Sequence, residues 1–162
     1  MKASRKHLHR LDEITRAVDP PIYFITLCAL KRKPIPADPM IAKMLIRSLH
    51  RCASESGWLV GRYVLMPDHV HSFCCPKKYR EAAERPPESR SDFIGRWKSE
   101  TTRLVWDNGR TGLLWQREFF DHLIRSDESY DEKWQYMMEN PVRRGLCANS
   151  DEWKYQGEFD EL

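Results

Sequence analysis

Two apolar runs separated by a two-residue link impose the first constraint on this chain. Residues 58–67, "WLVGRYVLMP", and residues 69–75, "HVHSFCC", are dominated by aliphatic, aromatic and β-branched side chains. Each reads as a strand, the first stopped by Pro67 and the second by Pro76. The link Pro67-Asp68 leaves no room for a crossover, so the expected arrangement is an antiparallel hairpin.

The remaining elements are placed around that hairpin. "IYFITLCAL" (22–30) follows Pro20-Pro21 and reads as another strand. Residues 38–56 carry Met40, Ile41, Met44, Leu45 and Leu49 near helical spacing, with Asp38 as cap, Pro39 in the first turn and Gly57 as terminator. Residues 77–91 are polar, contain Pro86-Pro87 and read as a loop with one helical turn. A helix over 91–106 has Ser91 or Asp92 as cap and turns Phe93, Ile94, Trp97 and Leu104 inward. Asn108-Gly109 marks a turn. "LLWQREFFDHLIR" (113–125) is expected as one long strand. A last helix starts near 126–129, with Ser129 and Glu132 as a capping box, and stops around Asn140 because Pro141 disfavours helical geometry before it. The order strand, helix, strand, strand, helix, strand, helix predicts an α+β sandwich: a central antiparallel sheet covered by helices.

With 162 residues, 41% of them hydrophobic, the chain suits one domain with a core. Its net charge of +3 does not by itself announce a nucleic-acid partner. The distribution is more informative: "MKASRKHLHR" at the start is basic and "DEWKYQGEFDEL" at the end is acidic. We divide the sequence into a basic arm (1–21), a central domain (22–146) and an acidic tail (147–162), the tail either a solvated end or a shield over a basic site. Five cysteines show no C-x-x-C spacing, and no signal-peptide pattern opens the sequence. Free thiols and a cytoplasmic, nucleoid-associated location are the expectation. No apolar run is long enough to cross a bilayer, so no membrane partner is expected.

His69 and His71 are the unusual residues. Two apart on a strand, they point to one face, about 7 Å apart along the chain. Such a pair can hold one metal ion; the alternative is a surface or hydrogen-bonded pair without metal. Cys74 points to the opposite face, and Cys75 lies about 13 Å beyond His71 on an extended strand. Both therefore read as small apolar residues rather than zinc ligands.

On the last helix, Tyr130, Trp134, Met137 and Met138 form a core stripe, and Tyr136 lies to one side of it with Lys133 and Asn140. Tyr136 and Asn140, four apart, are stacked neighbours on the helix surface. That spacing presents a nucleophile and an oxygen ligand to the same ion. Two imidazoles and an amide oxygen suit Mg²⁺ or Mn²⁺ bound together with a substrate phosphate. The alternative is that Tyr136 packs at the core margin and Asn140 caps the helix end.

"YVLMPDHVH", "LLWQREFFDHLIR" and "YMMENPVRRGL", in that order and spacing, resemble the REP-associated tyrosine transposases, a branch of the single-tyrosine HUH (His–hydrophobic–His) transposases. The resemblance runs from about Ile22 to Leu146. It implies a ferredoxin-like α+β sandwich, His69 and His71 as metal ligands, and Tyr136 as the catalytic tyrosine. Asn140 stands where insertion-sequence relatives carry a glutamine as third ligand. His122 matches the family pattern without an assigned role.

The implied activity is metal-dependent cleavage and strand transfer of single-stranded DNA near hairpins, through a 5′-phosphotyrosine link. A catalytically retired hairpin-binding module of the same fold is the alternative, and an unrelated structural zinc protein a third reading. A single-stranded partner needs cations for phosphates and rings for bases. Candidates are Arg96, Lys98, Arg103, Trp115, Arg117, Arg125, Arg143 and Arg144. Asp68 is either a turn residue or an acceptor that orients His69. A monomer is expected, with a dimer as the alternative.

Overall fold

The computed structural model describes residues 21–35, 39–79, 85–125 and 130–162. The basic arm, the Asp38 cap and the Ser129 capping box lie outside the described residues.

Strand β1 (Ile22–Cys28) leads to helix α1 (Pro39–Glu55), then the hairpin β2 (Trp58–Met66) and β3 (His69–Pro76). Helix α2 (Arg90–Asp107), strand β4 (Phe120–Ile124), helix α3 (Tyr130–Arg143) and a short strand β5 (Gln156–Glu158) follow. The sheet order is β4-β1-β3-β2-β5, and every neighbouring pair is antiparallel. Without β5, this is the split β-α-β-β-α-β arrangement of ferredoxin-like sandwiches. The α+β sandwich expected from the element order is therefore present.

The two sheet faces carry different cores. On one, Tyr23, Ile25, Leu27, Val60, Leu65, Val70 and Cys74 pack with Leu45 and Leu49 of α1 and with Phe93, Ile94 and Trp97 of α2. On the other, Val64, Met66, Phe73 and Ile124 pack against Met137 of α3, joined by Phe24, Tyr130 and Trp134. A bulge in β2 produces this assignment. Val60 pairs with Cys74 but Val64 pairs with His71, so β2 holds one extra residue between them. An extra residue exchanges the faces of everything beyond it, which turns Val64 and Met66 toward α3.

Several local expectations are corrected. Helix α2 has its cap two or three residues earlier than predicted, because Ser89 Oγ accepts from the Asp92 backbone N–H at 3.1 Å. Met40, expected inward, is exposed. The long strand over 113–125 is broken: Trp115 bridges Ala29, and regular pairing resumes only at Phe120. Lys98 explains the gap, since its ammonium donates to the carbonyls of Gln116, Arg117 and Glu118 at 2.9–3.1 Å and turns them away from the ladder. Helix α3 runs through Pro141 to Arg143. It ends in a Schellman motif: Leu146 N–H donates to Pro141 O, Gly145 N–H donates to Val142 O, and Gly145 has φ +68°. The acidic segment from 147 onward is part of the fold. It supplies β5, which pairs with β2, and Trp153 donates its indole N–H to Leu65 O at 3.0 Å.

Candidate metal and nucleophile site

The register places His69 and His71 on the sheet face beneath α3. His71 pairs with Thr26 and Val64, and His69 with Cys28 and Met66. The rings lie edge to face, with centroids 4.6 Å apart, and each residue is 8% exposed. Phe24 stacks on His71 at 5.1 Å.

Each imidazole is held through Nδ1. His69 Nδ1 lies 2.7 Å from Asp68 Oδ1, and His71 Nδ1 lies 2.8 Å from Thr26 Oγ1. An ionised carboxylate only accepts, so His69 carries its proton on Nδ1 and presents the Nε2 lone pair. The Thr26 hydroxyl can accept or donate, so the same tautomer is open to His71. Burial keeps both rings neutral. It lowers the pKa of His69 despite the neighbouring Asp68 carboxylate. It pushes His71 down to about 3, assisted by His69 and Arg32. Neutral imidazoles oriented in this way are the form that binds a metal.

Asp68 serves both of the roles considered for it. It occupies the turn between β2 and β3, and its buried carboxylate orients His69. Burial opposes its ionisation, yet the His69 and Arg144 hydrogen bonds outweigh that and hold its pKa below the ordinary value.

Helix α3 crosses above β3 in the antiparallel sense. Its first residue, Tyr130, lies over Phe73 with ring centroids 4.1 Å apart. Just past its last turn, Arg144 donates to Asp68 at 2.7 Å. Tyr136 and Asn140 fall between these two anchors along the helix axis. Tyr136 is 48% exposed, with the Arg143 guanidinium 4.8 Å from its ring centroid. Asn140 points inward, and its Nδ2 is buried without a hydrogen-bond partner. A buried amide nitrogen left unpaired costs about 1–3 kcal/mol. Turning the amide over removes no hydrogen bond from Nδ2 and puts Oδ1 in its place. Imidazole nitrogens and an amide oxygen are donors of the kind that a divalent ion accepts. Among the described residues, no three His, Cys, Asp or Glu side chains converge as a metal-binding group.

The cations proposed for DNA sort by face. Arg143 and Arg144 lie at the end of α3 beside the histidines. Arg96, Lys98 and Arg103 belong to α2, which covers the opposite sheet face. Arg96 pairs with Glu88, and Lys98 is committed to the three carbonyls. Arg117 and Arg125 are exposed around β4. Trp115 is corrected: it is 5% exposed, packs at a tilt against Trp97 with centroids 4.9 Å apart and donates to Thr101, so its ring offers no face to a base. His122 pairs opposite Phe24 in the register and lies on the histidine face. Cys74 and Cys75 are fully buried, as expected of small apolar residues, and burial pushes the Cys74 thiol up to about 12.

Two site residues escaped the sequence reading. Thr26 has a weak signal, a hydroxyl inside an apolar strand. Arg32, whose Nη1 donates to Asp68 Oδ2 at 3.3 Å, has none.

No family model matches the chain. A REP-associated tyrosine transposase of Escherichia coli (strain K12) is 23% identical over 113 residues, covering 70% of this chain and 62% of that protein. The chain is distantly similar to the REP-associated tyrosine transposases. It spans less than two thirds of that E. coli protein's length. A Haemophilus influenzae protein described only as uncharacterized is 24% identical over 144 residues, covering 74% of this chain and 79% of that one. The solved structure of a REP-associated tyrosine transposase bound to a REP hairpin superposes with a TM-score of 0.69 at 17% identity, covering 96% of this chain and 82% of that one. At that identity the likeness establishes the fold, and activity has to be argued from the site. No helix among the described residues is long and apolar enough to cross a membrane.

Proposed function

We propose that this protein cleaves and rejoins single-stranded DNA next to hairpins, with Tyr136 as nucleophile and a divalent cation, Mg²⁺ or Mn²⁺, as cofactor. The observation that carries this reading is the pair of buried neutral imidazoles, each oriented through Nδ1, under the helix that bears Tyr136 and the unpaired Asn140 amide. The similarity to REP-associated tyrosine transposases supports it.

His69, His71 and Asn140 would hold the ion, which when bound polarises the scissile phosphate and offsets charge developing on it. Tyr136, half exposed at the rim, meets the strand from solvent. Its hydroxyl oxygen attacks phosphorus, the bond from phosphorus to the 3′ oxygen breaks, and the phenolic proton is transferred overall to that departing oxygen. The products are a 5′-phosphotyrosine and a free 3′-hydroxyl. The covalent link conserves the phosphodiester's energy, so a second 3′-hydroxyl can reverse the step without ATP. Arg143, above the Tyr136 ring, is the cation best placed for a neighbouring phosphate. The catalytic residues lie within 22–146, and the protein works as a monomer.

The test uses end-labelled single strands that carry a hairpin with randomised flanks. With Mn²⁺, a protein–DNA adduct that survives SDS is expected; Tyr136→Phe and chelation should each abolish it. A mobility shift without adduct in the unaltered protein would instead identify a hairpin-binding module. Tight zinc binding with neither adduct nor shift would identify a structural metal site.

A further inference from the structure

Asp68 is 6% exposed, and its two carboxylate oxygens receive four hydrogen bonds. Oδ1 accepts from His69 Nδ1 and from Arg144 Nη1, each at 2.7 Å. Oδ2 accepts from Arg144 Nη2 and from Arg32 Nη1, each at 3.3 Å. The turn that carries Asp68 is also fixed by its backbone: Ala29 N–H donates to Asp68 O at 2.8 Å, and Ile35 N–H donates to Pro67 O. Arg144 approaches from a different element. It follows α3 directly, and the Schellman motif at Gly145 fixes the backbone there. Its planar guanidinium spans both oxygens, which a lysine ammonium cannot do.

The two halves of the proposed active site therefore meet at one carboxylate. His69 lies on the strand, Tyr136 and Asn140 lie on the helix, and Asp68 bonds to His69 on one side and to the helix terminus on the other. We propose that Arg144 is a positioning residue: through Asp68 it latches the nucleophile-bearing helix to the turn that orients His69, so that helix docking and imidazole orientation are set together. Arg32 braces the second oxygen. This inference rests on the reading of the site as a metal-dependent strand-cleavage centre and assigns Arg144 a role other than DNA contact.

The primary readout needs neither metal nor DNA. At a fixed alkaline pH, the ring nitrogen resonances of His69 report its tautomer. The unaltered protein should show Nδ1–H. Asp68→Ala should release the ring to a mixture of tautomers, and Asp68→Asn should restore Nδ1–H, because an amide oxygen still accepts. Arg144→Ala should shift the same resonances; if it does not fold, Arg144→Lys provides the comparison. Ring signals unmoved by loss of the Arg144 fork would overturn the latch.

The second readout is Mn²⁺ affinity by electron paramagnetic resonance. A ten- to hundredfold loss is expected for Asp68→Ala, of the size seen for lost outer-sphere partners of a metal-bound histidine. A smaller loss is expected for Arg144→Ala, and the double variant should bind no more weakly than Asp68→Ala alone. Losses that multiply independently, or an Arg144→Ala that weakens only hairpin binding, would also overturn the proposal. An unaltered protein that binds no Mn²⁺ would refute the function proposed above but leave the tautomer test standing.

Discussion

Lys31 and Arg32 adopt φ values of 53° and 54°, a left-handed conformation that costs non-glycine residues about 1 kcal/mol each. They form the turn after β1, and the second of them extends toward Asp68. The two positions make opposite demands. Lys31 is exposed and its side chain has no part in the site, so Lys31→Gly should relieve strain and raise stability by about 0.5–1 kcal/mol, measured by thermal unfolding. Arg32→Gly should relieve the same strain yet lose the Asp68 contact, giving no net gain. Equal stabilisation in both variants would show that the Arg32–Asp68 bond contributes nothing. The histidines illustrate a related point. Their identity is visible in the sequence, but their neutral state depends on burial, and their orientation on partners 45 residues away and one residue away.

At the scale of elements, α1 and α2 are joined by Glu100. Ser48 donates to it at 2.6 Å, Cys52 at 3.2 Å, and Arg51 pairs with it at the edge. Burial opposes the charged carboxylate, but these donors outweigh burial and lower its pKa below the ordinary 4.5. A depressed carboxylate stabilises the fold above the unfolded-state pKa and loses that contribution as pH falls through the folded value. Glu100→Gln should therefore cost about 1–2 kcal/mol at neutral pH. The gap to the unaltered protein should narrow as pH drops below 4.5, as denaturant titrations across that range would reveal. A gap independent of pH would mean that the carboxylate charge is irrelevant to helix pairing. The same burial, together with Glu100, pushes the Cys52 thiol up to about 12, so it is no nucleophile.

For the molecule as a whole, β5 closes the β2 edge of the sheet. An uncovered edge strand invites pairing with other chains, so a short covering strand stabilises the monomer as well as the sheet. Trp153 anchors it: the indole bonds Leu65 O and packs with the cluster of Val64, Met66 and Met137. Leu162 packs so closely on Gly61 that a Cβ there would lie 2.8 Å from its Cδ1. Trp153→Ala should cost about 2 kcal/mol. It should also speed hydrogen exchange at the Leu65 amide, which donates to Tyr155 O at 2.8 Å. Unchanged exchange at Leu65 would show that the C-terminal segment holds its place without the indole.

Much of this architecture could be read from the chain, because it rests on local chemistry. Apolar, β-branched runs and proline stops marked the hairpin, helical spacing marked the three helices, and the two-residue period put His69 and His71 on one face. The tyrosine four residues before an asparagine was likewise visible as a stacked pair. Other features depend on contacts between residues distant in sequence. The acidic composition of the last segment suggested a solvated end, whereas its few apolar residues find a β2 edge and a groove on the sheet. The strand over 113–125 was interrupted by an ammonium from another helix. The β2 bulge exchanged the faces of Val64 and Met66, which no count of alternating residues anticipates. Sequence alone determined which residues are available for the proposed site. Tertiary structure decided which of them meet, because the carboxylate, the hydroxyl and the guanidinium fork that orient the site come from separate elements, brought together only when both faces of the sheet are packed.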